Sequence, residues 1–118
     1  MATAGTVKEC DYVGIVSGNT EPDKIKKAGW TVTKSNFVDA PVINELPMVL
    51  ECEVAQIEED SDYIVGNIIN VSADDSILTD GKIDAAKLKP ICYDPVSHNY
   101  HVLGPVAGKA FSDGKAIK

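Results

Sequence analysis

The chain has 118 residues, 44% of them hydrophobic and 25% charged, and a formal net charge of −7. That length suffices for one domain with one core, and the composition is that of an ordinary soluble globular protein. The charge argues against nucleic acid, since neutralising phosphates takes a positive face and the one basic cluster, Lys24, Lys26 and Lys27, is surrounded by acids.

No apolar run is long enough to span a bilayer, so no membrane partner is expected. The start, Met1-Ala2-Thr3-Ala4-Gly5-Thr6, lacks the basic and apolar regions of a signal peptide, and a cytoplasmic location is the default. The three cysteines, Cys10, Cys52 and Cys92, are far apart and form no C-x-x-C, which speaks against a disulfide framework or a zinc site. Cys52, on an apolar strand face, reads as a small buried hydrophobe.

In chain order, Thr6 and Glu9 fit a capping box opening a helix from Val7 to about Val16, with Gly18 as a left-handed stop. A short second helix follows, with Thr20 as N-cap, Pro22 in the first turn and Asp23 at its third position. Gly29 ends it. Thr31 to Phe37 is extended, and Pro41 forces extended geometry on the residue before it.

Two strong strands come next. Met48, Leu50, Cys52 and Val54 alternate with Glu51 and Glu53, the pattern of a strand with one face buried and one solvated. From Tyr63 to Val71 both faces are largely apolar: Tyr63, Val65, Ile69 and Val71 on one, Ile64 and Ile68 on the other. The polar loop Glu58-Glu59-Asp60-Ser61-Asp62 between them has hairpin length, and Gly66 in mid-strand signals a bulge or a close approach. Thr79-Asp80-Gly81-Lys82 is a turn, Asp84 caps one helical turn over Ala85 to Leu88, and Pro90 stops it. Ile91 to Tyr93 and Asn99 to Leu103 read as strands joined by the turn Asp94-Pro95-Val96-Ser97-His98. The tail from Gly104 reads as a loosely held arm. No internal repeat or linker interrupts residues 1–118, which are read as a single domain.

Chemistry is hard to place on the residues alone. His98 and His101, three apart in and beside a strand, point to opposite faces and make a poor metal pair. No nucleophile motif is present, and the acids between Glu45 and Asp62 read as solvated surface. The turn Ser17-Gly18-Asn19-Thr20 offers backbone N–H groups to an anion, against which Glu21 and Asp23 already satisfy the helix dipole.

Taken in order, the segments Asp11 to Gly18, Asp39 to Ile43, Leu50 to Val54, Val65 to Ile68 and Leu103 to Phe111 resemble the flavin-reductase-like, FMN-binding split-barrel family, the flavoredoxin branch most closely. The resemblance covers about Val7 to Lys115. It implies a mainly β fold: an antiparallel Greek-key split barrel, partial here, with two short helices at the N-terminus. It also implies a homodimer with FMN at the subunit interface, and either electron transfer through bound FMN or flavin reduction by a nicotinamide nucleotide.

Carried over residue by residue, Gly14, Ser17, Gly18 and Asn19 fall on a family segment that often reads S-G-R, with Asn19 in place of the arginine. Asp23 and Lys24 match an Asp-Lys pair, and Asp39, Ala40 and Pro41 match the entry to the main strands beside the flavin. Tyr100 matches an aromatic near the active-site side. Cofactor binding is therefore assigned to Ser17, Gly18, Asn19, Lys24, Ala40, Pro41 and Tyr100.

Where reductase members carry G-D-H, this sequence has Glu59-Asp60-Ser61, which weakens the case for nicotinamide-dependent turnover. The family's first strands have no counterpart before Met1, so a barrel built from this chain is expected to expose sheet edges unless a second copy or another element covers them. The second reading is a non-catalytic dimeric β-barrel module that has lost the flavin.

Overall fold

The computed structural model describes residues 1–58, 60–61 and 63–117. Helices α1 (Val7–Ile15) and α2 (Lys24–Lys27) lead into a short hairpin of β1 (Val32–Lys34) and β2 (Pro41–Ile43). A long hairpin follows, β3 (Met48–Glu58) and β4 (Tyr63–Ala73), then the small pair β5 (Leu78–Thr79) and β6 (Lys82–Ile83). Helix α3 (Ala85–Leu88) precedes the last hairpin, β7 (Ile91–Asp94) and β8 (Asn99–Val102).

Each strand pairs with its neighbour in sequence, giving four separate two-stranded antiparallel sheets. The expectation of a mainly β, antiparallel fold with short leading helices therefore holds. No closed sheet forms among the described residues, because the outer edges of the hairpins find no strand partner among them.

The local capping differs from expectation at the N-terminus. Thr6 does not cap α1 with its side chain. Its Oγ1 accepts the Thr3 N–H at 3.0 Å and lies 3.2 Å from the Thr3 carbonyl. These bonds close a 3-10 turn over Ala4–Thr6. Gly18 is not left-handed; the positive-φ glycines are Gly29 and Gly81. The second helix is shorter than expected, because Thr20 spends its hydroxyl on the Ser17 carbonyl at 3.1 Å instead of capping.

Further along, the turn chemistry works as read. Asp80 and Gly81, both at positive φ, make the two-residue connection that antiparallel strands favour. Asp84 Oδ1 accepts the Ala86 N–H at 2.9 Å and caps α3. Asp94 Oδ1 accepts the Val96 N–H at 2.9 Å and organises the turn into β8.

In the long hairpin, Leu50 lies opposite Val71 but Cys52 lies opposite Ile68, so Ile69 is an extra residue in β4. This bulge moves Ile68 onto the same face as Val71, correcting the strict alternation read from sequence. A second irregularity leaves Ala55 extra in β3, beside Val54 and its partner Gly66. Glu59 and Asp62 of the expected loop lie outside the described residues.

The buried hydrophobic residues among those described are Trp30, Ile77 and Leu88. Most of the apolar side chains on β3 and β4 are exposed, among them Val54, Ile57, Ile64 and Ile68. Cys52, expected inside, is exposed too, because nothing among the described residues packs over the face it shares with Leu50 and Val54.

The molecule measures 58 × 35 × 30 Å with a radius of gyration of 17.2 Å, against about 13–14 Å for a compact domain of this length. Its accessible surface is 9187 Å², whereas a compact folded monomer of this size exposes about 6,200 Å². The excess, about 3,000 Å², goes with the exposed apolar side chains of the strands.

Candidate functional site

The β1–β2 hairpin is built around a six-residue loop. Lys34 pairs with Pro41, Thr33 with Val42 and Val32 with Ile43, and the Ser35 N–H closes the loop on the Ala40 carbonyl at 3.0 Å. At the open end of the hairpin, both Glu45 carboxylate oxygens accept the Thr31 N–H, at 3.0 and 2.9 Å, and Oε1 also accepts the Thr31 hydroxyl at 2.7 Å. These bonds, the Thr31 backbone bond foremost, hold the Glu45 carboxyl below its ordinary pKa.

A cleft of about 310 Å³ lies on this hairpin, lined by Val32, Thr33, Lys34, Asp39, Ala40 and Pro41. Its walls combine small apolar groups with one ion pair, Lys34 Nζ to Asp39 Oδ1 at 3.0 Å. Both partners are largely exposed, so the pair shapes the rim more than it stabilises the fold. Two of the predicted cofactor residues, Ala40 and Pro41, line this cleft.

A second group of predicted residues sits in the connection between α1 and α2. Ser17 Oγ accepts the Asn19 N–H at 3.2 Å, and the Ser17 carbonyl accepts the N–H groups of Thr20 and Glu21 at 3.2 and 3.0 Å. Ser17, Gly18 and Asn19 are all exposed. Neither the Gly18 N–H nor the Asn19 side-chain amide has a hydrogen-bond partner among the described residues. Both are donors available to an anion.

Lys24 is differently placed. Its ammonium donates to the carbonyls of Val13 and Val16, both at 2.8 Å. It thereby satisfies the open C-terminal end of α1, where a cation is favoured. The acids of this region are also partly committed: Glu21 pairs with Lys27, and that contact lowers the Glu21 pKa.

Tyr100, on β8, donates its hydroxyl to Asp11 Oδ1 on α1 at 2.9 Å. That hydrogen bond is the main reason the Tyr100 pKa is raised, and the negative charge of Asp11 acts in the same direction. The ring also packs against Tyr93, with centroids 5.5 Å apart and planes inclined at 52°. The predicted residues thus form two groups, one around α1 (Ser17, Gly18, Asn19, Lys24, Tyr100) and one on the β1–β2 hairpin (Ala40, Pro41). No hydrogen bond among the described residues joins the two groups.

Sequence reasoning missed a third feature. Glu51, assigned to a solvated strand face, is 6% exposed. Its carboxylate accepts from Ser35 and Asn70, with Ser72 Oγ 3.4 Å away. The Ser35 bond is the main reason its pKa is lowered. Asn70 and Ser72, two apart on β4 and flanking Val71, carried the sequence signal: alternating polar residues inside an apolar strand, on the face shared with Glu51.

His98 stands in the β7–β8 turn at positive φ. His101 is exposed, with Nε2 3.8 Å from Asp94 Oδ2. No group of metal-binding side chains occurs among the described residues, and no helix among them is long and apolar enough to cross a membrane.

No family model matches the sequence. The structure is similar to that of flavoredoxin from Desulfovibrio vulgaris (Miyazaki F), with 36% identity and a TM-score of 0.88 over 97% of this chain and 62% of that one. It is also similar to flavoredoxin from Methanosarcina acetivorans, with 30% identity and a TM-score of 0.85 over 98% of this chain and 62% of that one. An FMN-binding domain of a flavin-reductase-like enzyme from Shewanella baltica shares the fold at 16% identity, with a TM-score of 0.74 over 91% of this chain and 59% of that one. The chain therefore spans about three-fifths of each of these proteins, and over that span its sequence and backbone are similar to those of two flavoredoxins.

Proposed function

We propose that this chain is an FMN-binding, flavoredoxin-like protein that takes part in electron transfer or flavin reduction. The observation that carries the reading is the 36% identity to a flavoredoxin across 97% of the chain at a TM-score of 0.88.

The chemistry of the donor set fits the group. A flavin mononucleotide needs hydrogen-bond donors for its phosphate and an apolar surface with polar edges for its ring. The Gly18 N–H, the Asn19 amide and the Ser17 hydroxyl supply the first. The cleft at Ala40 and Pro41, with Val32 and Thr33 beside it, supplies the second. Lys24 would act by fixing the end of α1, and Tyr100 by holding β8 against that helix. Bound FMN would supply the electron chemistry, while the protein sets its orientation and surroundings.

A homodimer is part of the proposal. The exposed apolar faces of β3 and β4, and an accessible surface about 3,000 Å² beyond that of a compact monomer, favour a second copy packed on the hairpin.

Titration of the purified chain with FMN tests the reading. Quenching of flavin fluorescence with saturation is the expected result, weakened about tenfold by Ser17→Ala combined with Asn19→Ala. Full fluorescence at every protein concentration would reject flavin binding by this chain and leave the non-catalytic module.

A further inference from the structure

We propose that Glu51 is a positioning residue for the flavin-side loop: through Ser35 it holds residues 35–40 in the shape that presents Ala40 and Pro41 to the cofactor. The role at the cofactor rests on the flavin reading given above. The holding of the loop rests on geometry alone.

The hydroxyl of Ser35 has one proton to donate and two lone pairs to accept with. Both lone pairs are engaged, by the N–H groups of Phe37 at 2.9 Å and Val38 at 3.0 Å. This local turn bends the chain directly after β1. The Ser35 proton must then go elsewhere, and it goes to Glu51 Oε1.

The other carboxylate oxygen is fixed from β4. Asn70 Nδ2 donates to Glu51 Oε2, and the Ser72 hydroxyl lies 3.4 Å from the same oxygen. Asn70 Nδ2 also lies 3.0 Å from Ser72 Oγ. The donors thus converge on two oxygens that only accept, the role an ionised carboxylate fills. Ser35 and Glu51 are both buried, so a lost partner would not be replaced freely by water.

The loop is tied back at its far end as well. The Ser35 N–H donates to the Ala40 carbonyl at 3.0 Å, and the Ala40 N–H to the Val38 carbonyl at 2.9 Å. Ser35 therefore fixes both its own turn and the backbone of Ala40. Glu51 couples that loop to the long hairpin, although β1–β2 and β3–β4 share no ladder.

A side-chain exchange tests this. Glu51→Met keeps the length of the side chain but removes both acceptor oxygens, so the Ser35 proton and the Asn70 amide lose their partner. The double variant Glu51→Gln with Asn70→Asp keeps the pattern by reversing it. The amide introduced on β3 then accepts from Ser35 and donates to the carboxylate introduced on β4.

Two readouts are taken on the full chain. One is amide hydrogen exchange at Phe37 and Val38, with Leu88 as a remote control. The other is FMN affinity by fluorescence quenching. Glu51→Met is expected to speed exchange at Phe37 and Val38 at least tenfold, to leave Leu88 unchanged, and to weaken FMN binding at least fivefold. The double variant is expected to keep the protection and the affinity of the unaltered chain.

Unchanged exchange at Phe37 and Val38 in Glu51→Met would overturn the proposal, as would lost protection in the double variant, which keeps an acceptor for Ser35. Lost protection with undiminished FMN affinity would overturn the role at the cofactor. Absence of FMN binding by the unaltered chain would overturn the flavin reading itself, and hydrogen exchange alone would then decide whether Glu51 holds the loop.

Discussion

Tyr100 and Asp11, 89 positions apart in sequence, meet at 2.9 Å and fasten the last strand to the first helix. The contact joins elements from opposite ends of the chain, so it closes a very long loop. Forming it orders that whole span, a cost that grows slowly with loop length.

Tyr100→Phe keeps the ring and its packing on Tyr93 but removes the donor. The expected outcome is a melting temperature lower by a few degrees with an unchanged far-UV spectrum. Asp11→Asn should produce a loss of similar size. If the two residues act through one bond, the double variant is no less stable than the worse single one, which a thermal double-mutant cycle measures directly.

Gly66 has little room for a side chain. A Cβ built there would stand 3.1 Å from the Cβ of Cys52 and 3.4 Å from the Glu53 carbonyl oxygen. Gly66→Val must push the two strands apart beside the bulge, at a cost of about 1–3 kcal/mol, as for other overpacked sites. Urea denaturation should show the midpoint falling with little change in slope.

Acid should weaken the fold. Serine, threonine, asparagine and backbone donors hold the carboxyls of Glu45, Glu51, Asp74, Asp84 and Asp94 below their ordinary pKa values in the folded state. Their contribution is complete above the ordinary carboxylate pKa of about 4 and is lost as pH falls through the lower folded values. The urea midpoint is therefore expected to stay level from neutral pH down to about pH 5, then drop steadily below about pH 4. A midpoint unchanged at about pH 3 would contradict the bonding described for these groups.

The bare hairpin makes a prediction about assembly. Ile68 and Val54 are among the exposed apolar residues of β3 and β4, and a patch of this kind marks an interface. Ile68→Lys should weaken self-association about tenfold or more, read by sedimentation across a range of protein concentrations. A chain that sediments as a monomer at high concentration, with or without the substitution, would remove the homodimer from the proposal.

Much of the local structure was legible from residue type, because caps and tight turns are decided by groups only a few positions apart. Asp84 capping α3 and Asp80-Gly81 turning between β5 and β6 follow from the side chains alone. The long antiparallel hairpin followed from period-2 patterning for the same local reason. The bulge at Ile69 did not, since it depends on how two strands settle against each other. The predicted site was legible only through the resemblance, which named segments without saying what holds them.

The order of residues is enough to place the hairpins, the short helices and the apolar strand faces, since these depend on neighbours along the chain. It is not enough to say which face of β3 is covered. Read alone, Glu51 belongs to water and Cys52 to the core, yet Glu51 is enclosed by Ser35, Asn70 and Ser72 while Cys52 lies open. Burial depends on what stands opposite, and that is set by the packing of distant segments. The β1–β2 loop supplies a hydroxyl to meet the carboxylate, and the described residues supply no layer to meet the apolar side.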